Sequence, residues 1–437
     1  MKSLVCAAIA VIASFASCPA LAQTTLTIAT VNNGDMIRMQ GLTADFTAKN
    51  PGITVKWVTL EENVLRQRVT TDIATKGGQF DILTIGTYEV PIWGKRGWLL
   101  PLDKLGAGYD VNDLLAPIRA GLTVDGKLYA APFYGESSMT MYRKDLFEKA
   151  GLSMPPNPTW DFIASAAKKI TDRSTETFGV CLRGKPGWGE NMALLTVMAN
   201  SFGARWFDEK WQPEFNGPEW KKTLTFYVDL MKAAGPPGAS TNGFNENLAL
   251  FNSGKCGVWV DATVAASFVT NPKESRVVNK VGFALAPNAG LGKASNWLWA
   301  WSLAVPASSK KVDAAEKFVA WATSKEYLAL VASKEGWANV PPGTRKSLYD
   351  NPEYQKAAPF AKITLESISS ADPIKGTVKP KPYIGVQYAA IPEFQGIATT
   401  VGQQFAAALT GTTTVDAALA AAQSSTQREM TRAGYIK

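Results

Sequence analysis

Residues 132–161 read PFYGESSMTMYRKDLFEKAGLSMPPNPTWD, and this stretch decides more about the fold than any other. Ser138–Tyr142 alternates small polar with apolar side chains, which predicts a half-buried strand. The following residues carry apolar side chains at helical spacing and end at Gly151, a common helix stop. After a proline-rich turn, Thr159 is the expected N-cap of a helix over Trp160–Ile170. The stretch therefore predicts a strand, a helix, a turn and a second helix.

Upstream of this stretch, strand-like and helix-like segments alternate. Thr25–Thr30, Ile53–Val58 and Phe80–Ile85 read as strands, and a single amphipathic helix over Met36–Phe46 is expected between the first two. This order predicts a parallel α/β sheet. Ligands bind beyond the carboxyl ends of the strands in such sheets. The loops expected near a ligand therefore hold Asn32, Asn33, Glu61, Glu62 and residues 87–89.

The beginning of the chain reads as a secretory signal peptide. A short positive start precedes an apolar run over Leu4–Phe15, and Ala20-Leu21-Ala22 ends the segment. We expect cleavage after Ala22 and a periplasmic mature protein. Acylation of Cys18 as a lipoprotein is the rival interpretation, which the preceding Phe15-Ala16-Ser17 fits poorly. The apolar run is too short to span a bilayer as a helix.

Composition excludes several classes of function. The chain contains no histidine, which removes histidine-dependent nucleophilic catalysis and histidine-ligated zinc. Carboxylate-pair chemistry, such as glycoside hydrolysis, stays open. The net charge of +8 is interspersed along the chain, so no nucleic-acid partner is expected. We expect neither a cofactor nor a metal ion, since no tight acidic cluster is present.

Cys181 and Cys256 remain after removal of the signal peptide, and both lie in strand-like runs. An even pair in an oxidising compartment can form a disulfide. Two buried free thiols are the alternative, and the sequence does not decide between them.

The segment from Tyr142 to Asp161 resembles the first crossing between the lobes of the bacterial extracellular solute-binding proteins of the sugar type. Their pattern is roughly Y-N-K-D-L-F-x-K-A-G-L-x-x-P-P-x-T-W-D. Here Arg143 replaces the asparagine, and Asn157-Pro158 lengthens the turn by a residue. Other segments resemble the family in the same order along nearly the whole mature chain: Asp81-Ile82, residues 99–103, residues 254–262, Ser309-Lys310-Lys311, residues 336–342 and residues 411–419.

The resemblance implies a two-lobe periplasmic-binding-protein fold of the α/β class. Each lobe would be a mostly parallel sheet flanked by helices, with three hinge crossings. The N-terminal lobe would comprise residues 23–135 and 298–338. The C-terminal lobe would comprise residues 136–297 and 339–437.

The resemblance also implies a function. Residues 32–40 and 258–268 look like the sorbitol- and mannitol-binding members, which implies a linear polyol or small sugar delivered to the membrane permease subunits of an ABC importer. The protein would act as a monomer. One rival is the same fold binding an oligosaccharide or a glycerophosphodiester. Another is a secreted carbohydrate-active enzyme that uses Glu136 and Asp261 as its carboxylate pair.

Polyols and sugars need hydrogen-bonding partners for their hydroxyls and aromatic faces for their C–H groups. Trp297, Trp299 and Trp301 alternate along one predicted strand and should share a face, in the cleft or in the core. Asp261 ends a strand that faces the expected cleft, and it is either a hydroxyl acceptor or a helix N-cap. Glu136 lies in the first crossing, as a ligand contact or as part of a hinge ion pair.

Arg183 follows a predicted strand, and its guanidinium fork could clamp adjacent hydroxyls or lie on the surface. Trp188, Trp206 and Trp211 are expected to serve packing. The complete set of expected ligand-binding residues is Asn33, Glu61, Tyr88, Tyr134, Glu136, Arg183, Asp261, Trp299, Trp301, Trp337 and Asn339.

Overall fold

Strands and helices alternate along most of the chain, as the sequence predicts. The structure, a computed structural model, describes residues 23–437 apart from the side chain of Ala107. The predicted signal peptide, its cleavage after Ala22 and the possible acylation of Cys18 lie outside the described residues. The strands are β1 (Thr24–Val31), β2 (Ile53–Leu60), β3 (Ile82–Ile85), β4 (Thr123–Val124), β5 (Lys127–Leu128), β6 (Ala131–Glu136), β7 (Ser138–Arg143), β8 (Phe178–Cys181), β9 (Cys256–Ala262), β10 (Val281–Leu285) and β11 (Trp299–Ala304).

The helices flank the two main sheets. None of those in the described range combines the length and apolar character needed to cross a bilayer. They are α1 (Gly34–Gly41), α2 (Thr43–Lys49), α3 (Glu62–Thr75), α4 (Glu89–Lys95), α5 (Ala116–Gly121), α6 (Lys144–Lys149), α7 (Trp160–Ile170), α8 (Asn191–Ser201), α9 (Pro218–Ala234), α10 (Phe244–Asn252), α11 (Ala265–Val269), α12 (Val312–Ala322), α13 (Lys325–Glu335), α14 (Lys346–Tyr349), α15 (Pro352–Ala357), α16 (Ala361–Ser370), α17 (Phe394–Thr410) and α18 (Val415–Arg432).

The first lobe is built on a sheet with the strand order β2-β1-β3-β11-β6. Strands β1, β2 and β3 are parallel, which confirms the predicted α/β arrangement. Strand β11 is antiparallel to both β3 and β6, because it enters this sheet from the second lobe. The carboxyl ends of β1 and β3 and the amino end of β11 therefore lie at the same edge of the sheet.

The second lobe is built on a sheet with the strand order β10-β7-β9-β8. Strands β8 and β9 are parallel, whereas β7 is antiparallel to β9 and to β10. A disulfide joins Cys181 and Cys256 in this sheet, with their Cα atoms 6.0 Å apart. The two separate sheets confirm the two-lobe α/β form, but the expectation of mostly parallel sheets is wrong: both sheets are mixed, because β7 and β11 run antiparallel to their neighbours.

The chain passes from the first sheet to the second after β6 and returns to the first before β11. Strand β6 ends at Glu136 in the first sheet and β7 begins at Ser138 in the second, while residues 286–298 connect β10 to β11. Near the third crossing, the backbone nitrogen of Leu115 donates to Thr344 O at 2.8 Å, and that of Gly135 donates to Pro342 O at 2.9 Å. The lobe boundaries at 135/136, 297/298 and 338/339 stay predictions.

Side-chain capping explains where α7 begins, whereas the first predicted helix differs from the structure. Helix α7 begins where predicted, because Thr159 Oγ1 accepts a hydrogen bond of 3.1 Å from the backbone nitrogen of Phe162. The single helix expected over Met36–Phe46 is instead two helices, since the backbone leaves helical geometry at Leu42. The breaking of a short helix at a buried leucine gives no signal in the apolar periodicity.

Candidate functional site

A cavity lies between the two lobes. The space between atoms there is about 440 Å³, part of it open to solvent. The first lobe contributes Asn33, Glu62, Arg66, Tyr134, Glu136, Trp299 and Trp301 to its lining, and the second contributes Arg183, Trp188, Gly189, Ala193, Phe244, Val264, Trp297 and Gln387.

Strands β6 and β11 supply one wall of the cavity. Trp299 pairs with Glu136 across the two strands, and Trp301 pairs with Tyr134. The two indole rings meet edge to face with their centres 5.5 Å apart. Space for Trp299 depends on Gly86, because a Cβ atom there would lie 2.0 Å from the indole. Trp297, just before β11, lines the same cavity, although it is outside the predicted ligand-binding set.

Glu136 brings a carboxyl group into this aromatic surrounding. It is only 6% exposed, and no side chain of the described residues hydrogen-bonds to its carboxylate, which faces the cavity. Burial raises the pKa of Glu136 to about 8, although the positive charge of Arg183 opposes the shift. A carboxyl group held in this way is a strong candidate to hydrogen-bond a ligand hydroxyl.

Arg183 and Asp261 form a buried ion pair at the second-lobe wall. Arg183 Nε lies 3.1 and 3.0 Å from the two carboxylate oxygens, and Nη2 donates to Oδ1 at 2.7 Å. Asp261 also accepts from the indole nitrogen of Trp259 at 3.1 Å and from the backbone nitrogen of Ala262 at 2.7 Å. Asp261 thus lies behind Arg183, and it is Arg183 that reaches the cavity. A direct contact between Asp261 and a ligand stays a prediction.

Arg66 occupies the centre of a cluster of three tryptophans. Its guanidinium carbon lies 3.9 Å from the ring centre of Trp188, 4.9 Å from that of Trp299 and 4.7 Å from that of Trp301. Such stacking is a favourable cation–π arrangement. Glu62 accepts from Arg66 Nε and Nη2 at 3.0 and 2.8 Å, and Glu89 accepts from Nη1 at 2.9 Å. Two carboxylates therefore neutralise this arginine.

Sequence reasoning did not identify Arg66, and it assigned Trp188 to packing. One signal could have found Arg66: Glu62 and Arg66 stand four residues apart at the start of α3, the spacing of an ion pair on one helix face. That helix begins beyond the carboxyl end of β2, where α/β sheets bind their ligands. Glu62, Phe244, Val264, Trp297 and Gln387 are further cavity residues outside the predicted set.

Six predicted residues line the cavity: Asn33, Tyr134, Glu136, Arg183, Trp299 and Trp301. Asn33 Nδ2 donates to the hydroxyl of Tyr134 at 2.8 Å, which links the loop after β1 to β6. Asp261 lies behind the wall, and the remaining four predicted residues lie elsewhere around the cleft.

Of these four, Glu61 caps α3 by accepting from the backbone nitrogen of Asn63 at 3.0 Å. Tyr88 donates its hydroxyl to Ile391 O at 3.0 Å, across the lobes. Asn339 accepts from Arg38 Nη1 through its backbone oxygen at 3.0 Å, and Trp337 lies in the same short 3₁₀ turn. Their roles in binding stay predictions.

The lobes are closed on one another around the cavity. Lys185 Nζ of the second lobe lies 2.7 Å from Glu61 Oε1 of the first, and Asn245 Nδ2 donates to Asn32 O at 2.9 Å. The loop around Trp188 packs directly on the start of α3. A Cβ atom at Gly189 would lie 1.9 Å from Glu62 Oε1, so glycine permits this close approach.

Between residues 23 and 437, no group of three or more histidine, cysteine or acidic side chains is arranged to hold an ion.

The sequence profile described as "Bacterial extracellular solute-binding protein" matches residues 33–329. A protein of Pseudomonas aeruginosa described as a mannitol-binding protein is 61% identical over 421 residues, covering 96% of this chain and 96% of that protein. A crystal structure of an ABC transporter solute-binding protein from Agrobacterium vitis S4 with bound D-mannitol is 76% identical. The match covers 95% of this chain and 100% of that chain, with a TM-score of 0.94.

A more distant solved structure is an ABC transporter solute-binding protein from Agrobacterium radiobacter K84 in complex with ribitol. It is 26% identical, with a TM-score of 0.82, and the match covers 93% of this chain and 99% of that chain.

Proposed function

We propose that this chain, which belongs to the bacterial extracellular solute-binding proteins, binds a linear polyol such as D-mannitol or D-sorbitol. It would carry the polyol, as a monomer in the periplasm, to the membrane permease subunits of an ABC importer. The observation that carries the proposal is the interlobe cavity, in which indole faces surround the unpaired carboxyl group of Glu136. The likeness to a mannitol-binding protein and to a mannitol-bound structure supports the same ligand class.

The chemistry of the cavity suits a chain of hydroxyl groups. Each hydroxyl both donates and accepts, and Glu136, Asn33 and the N–H of Arg183 Nη2 that is not bonded to Asp261 offer both kinds of partner. The C–H edges of a polyol can lie against the faces of Trp297, Trp299 and Trp301. The first and second lobes both supply such groups, so one ligand would touch both.

Size and charge argue against the rival ligands. Four tryptophans and two arginines line the cavity, and side chains of this size favour a small ligand over an oligosaccharide. Arg66 is neutralised by Glu62 and Glu89, and Arg183 by Asp261. A glycerophosphodiester would place its negative charge among these carboxylates, where both arginines of the described cavity lining are already paired.

The same ion pairs argue against a carboxylate-pair enzyme. Both oxygens of Asp261 are held by Arg183, Trp259 and Ala262. Glu136 would therefore lack Asp261 as its partner on the other side of a glycosidic bond. We propose capture without turnover.

Binding would act through the closure of the lobes. A ligand favours the closed form only by the contacts that are better there. A micromolar dissociation constant corresponds to about 8 kcal/mol, which several hydroxyl hydrogen bonds and indole contacts can supply after ordering costs. The interlobe pairs Lys185–Glu61 and Asn245–Asn32 would re-form at each closure.

A ligand panel tests the proposal. Isothermal titration calorimetry and thermal unfolding should be measured with D-mannitol, D-sorbitol, D-arabitol, ribitol, D-glucose, maltose and sn-glycero-3-phosphocholine. A hexitol should bind at one site and raise the melting temperature with its concentration, while maltose and the phosphodiester should not. The absence of hexitol binding, or hydrolysis of an added glycoside, would overturn the proposal.

A further inference from the structure

We infer that Trp188 sets the upper limit on ligand length, by separating the cavity from a second groove that would otherwise extend it. The inference deepens the proposed function and rests on it. It concerns the ligands that the site excludes, whereas the similar proteins indicate only a class of ligand that is bound.

A second groove lies on the far side of Trp188, also between the lobes. Its space between atoms is about 1270 Å³, including open solvent. Trp188 and Arg66 are the two residues that line both this groove and the cavity. Together they form the wall between the two spaces.

Trp188 is the part of this wall contributed by the second lobe, and it is held on several sides. Its ring centre lies 4.9 Å from that of Tyr88 and 5.6 Å from that of Trp299, and the guanidinium of Arg66 stacks on it at 3.9 Å. The indole is only 2% exposed. Tyr88 is itself anchored to Ile391 O. The indole therefore has little freedom to swing aside for a longer ligand.

Arg66 should keep its position when Trp188 is changed, because its anchors lie within the first lobe. Glu62 and Glu89 hold it from α3 and α4. Removal of the Trp188 side chain should thus open the wall without collapsing the arginine into the gap. The indole nitrogen of Trp188 is buried without a hydrogen-bond partner among the described residues, so its loss breaks no polar link.

The groove has the chemistry of a sugar subsite. Tyr88, Trp93 and Trp98 give it aromatic surface, and Gln67, Thr70 and Gln395 give it groups that can bond to hydroxyls. With the wall open, a hexitol that carries one glucosyl group could place the hexitol in the cavity and the glucosyl group in the groove. Maltitol, which is 4-O-glucosyl-sorbitol, is such a molecule.

The test compares D-sorbitol with maltitol by isothermal titration calorimetry. The parent protein should bind sorbitol and show no measurable heat with maltitol. Trp188→Ala should bind maltitol, so that the ratio of maltitol to sorbitol dissociation constants falls by roughly 100-fold or more. Trp188→Phe should keep most of the parent protein's discrimination against maltitol. Trp98→Ala is the matched control, because Trp98 lines only the groove; alone it should change neither affinity, and added to Trp188→Ala it should weaken maltitol but not sorbitol.

The outcomes distinguish failure of this inference from failure of the proposed function. A folded Trp188→Ala protein that binds sorbitol but, like the parent, shows no binding of maltitol would overturn the inference and leave the proposed function intact. A parent protein that binds both alike would do the same. A parent that binds no hexitol would overturn the proposed function itself. If Trp188→Ala does not fold, Trp188→Leu carries the same comparison.

Discussion

The guanidinium of Arg183 forms an ion pair with the carboxylate of Asp261 through three contacts of 2.7 to 3.1 Å, and both groups are buried in the second lobe. A fourth contact, from Nη1 to Gly189 O at 2.8 Å, ties the arginine to the loop that carries Trp188. Burial opposes the charge on Arg183, yet Asp261 keeps its pKa above the usual range. The pair therefore presents a fixed, permanently charged donor to the cavity.

Substitution of Asp261 by Ala should weaken hexitol binding by at least about tenfold and lower the free energy of unfolding by about 3–5 kcal/mol. The reason is that Arg183 would keep its buried charge but lose the group that orients it. Calorimetric titration and denaturant unfolding measure the two effects separately. Asp416→Ala is a suitable control, because its pair with Lys221 is exposed and should contribute under about 1 kcal/mol. An unchanged hexitol affinity in Asp261→Ala would remove the ion pair from the binding site.

Replacement of Glu136 by Gln should reduce the pH dependence of the free energy of unfolding. Burial raises the pKa of Glu136 from its ordinary 4.5 to about 8 in the folded protein. The folded state thus holds a proton that the unfolded state releases near its ordinary pKa. The favourable contribution is complete below that ordinary value and is lost as the pH rises through 8.

The parent protein should accordingly lose more unfolding free energy than Glu136→Gln between about pH 5 and about pH 9. Glu190, whose pKa burial and the charge of Glu62 also raise to about 8, contributes with the same sign and remains in the variant. Urea unfolding at several pH values gives the comparison. Identical pH profiles for both proteins would show that Glu136 does not hold this proton.

A methyl group at position 189 should hinder closure without harming the lobes. Gly189→Ala would place a Cβ atom 1.9 Å from Glu62 Oε1 and 3.0 Å from Arg66 Nη2. The hexitol dissociation constant should rise by at least about tenfold, while thermal unfolding of the free protein changes little. Gly41→Ala is the matched control, since its Cβ would meet nothing within 4 Å. Equal affinities in the two variants would show that the approach of the loop to α3 is not part of binding.

Hexitol binding should change the tryptophan fluorescence. Four of the 14 tryptophans, Trp188, Trp297, Trp299 and Trp301, line the cavity, so a ligand there alters their contact with water and with charged groups. The change should saturate with the dissociation constant found by calorimetry. Its amplitude should fall in Trp297→Phe but not in Trp57→Phe, because Trp57 lies on β2, outside the cavity lining. A titration without any change would place the ligand elsewhere.

The fold could be predicted well because its signals are local. Thr159 marks the start of α7 through its own side chain, and the alternation of Trp297, Trp299 and Trp301 shows their shared face directly. The site was harder, because its partners meet only after the lobes have formed and closed. Arg183 and Asp261 are 78 residues apart, and Trp188 meets Arg66 across the cleft. No periodicity or capping pattern records a contact of that kind.

The cross-strand pairing of Trp299 with Glu136 and of Trp301 with Tyr134 has an evolutionary consequence. Side chains on a strand alternate between its two faces, so an insertion or deletion of one residue would turn the whole binding face toward the core. Single substitutions, in contrast, change the wall one side chain at a time. New ligand preferences in descendants of this chain should therefore arise by replacement at fixed spacing, while changes in length accumulate in the surface loops.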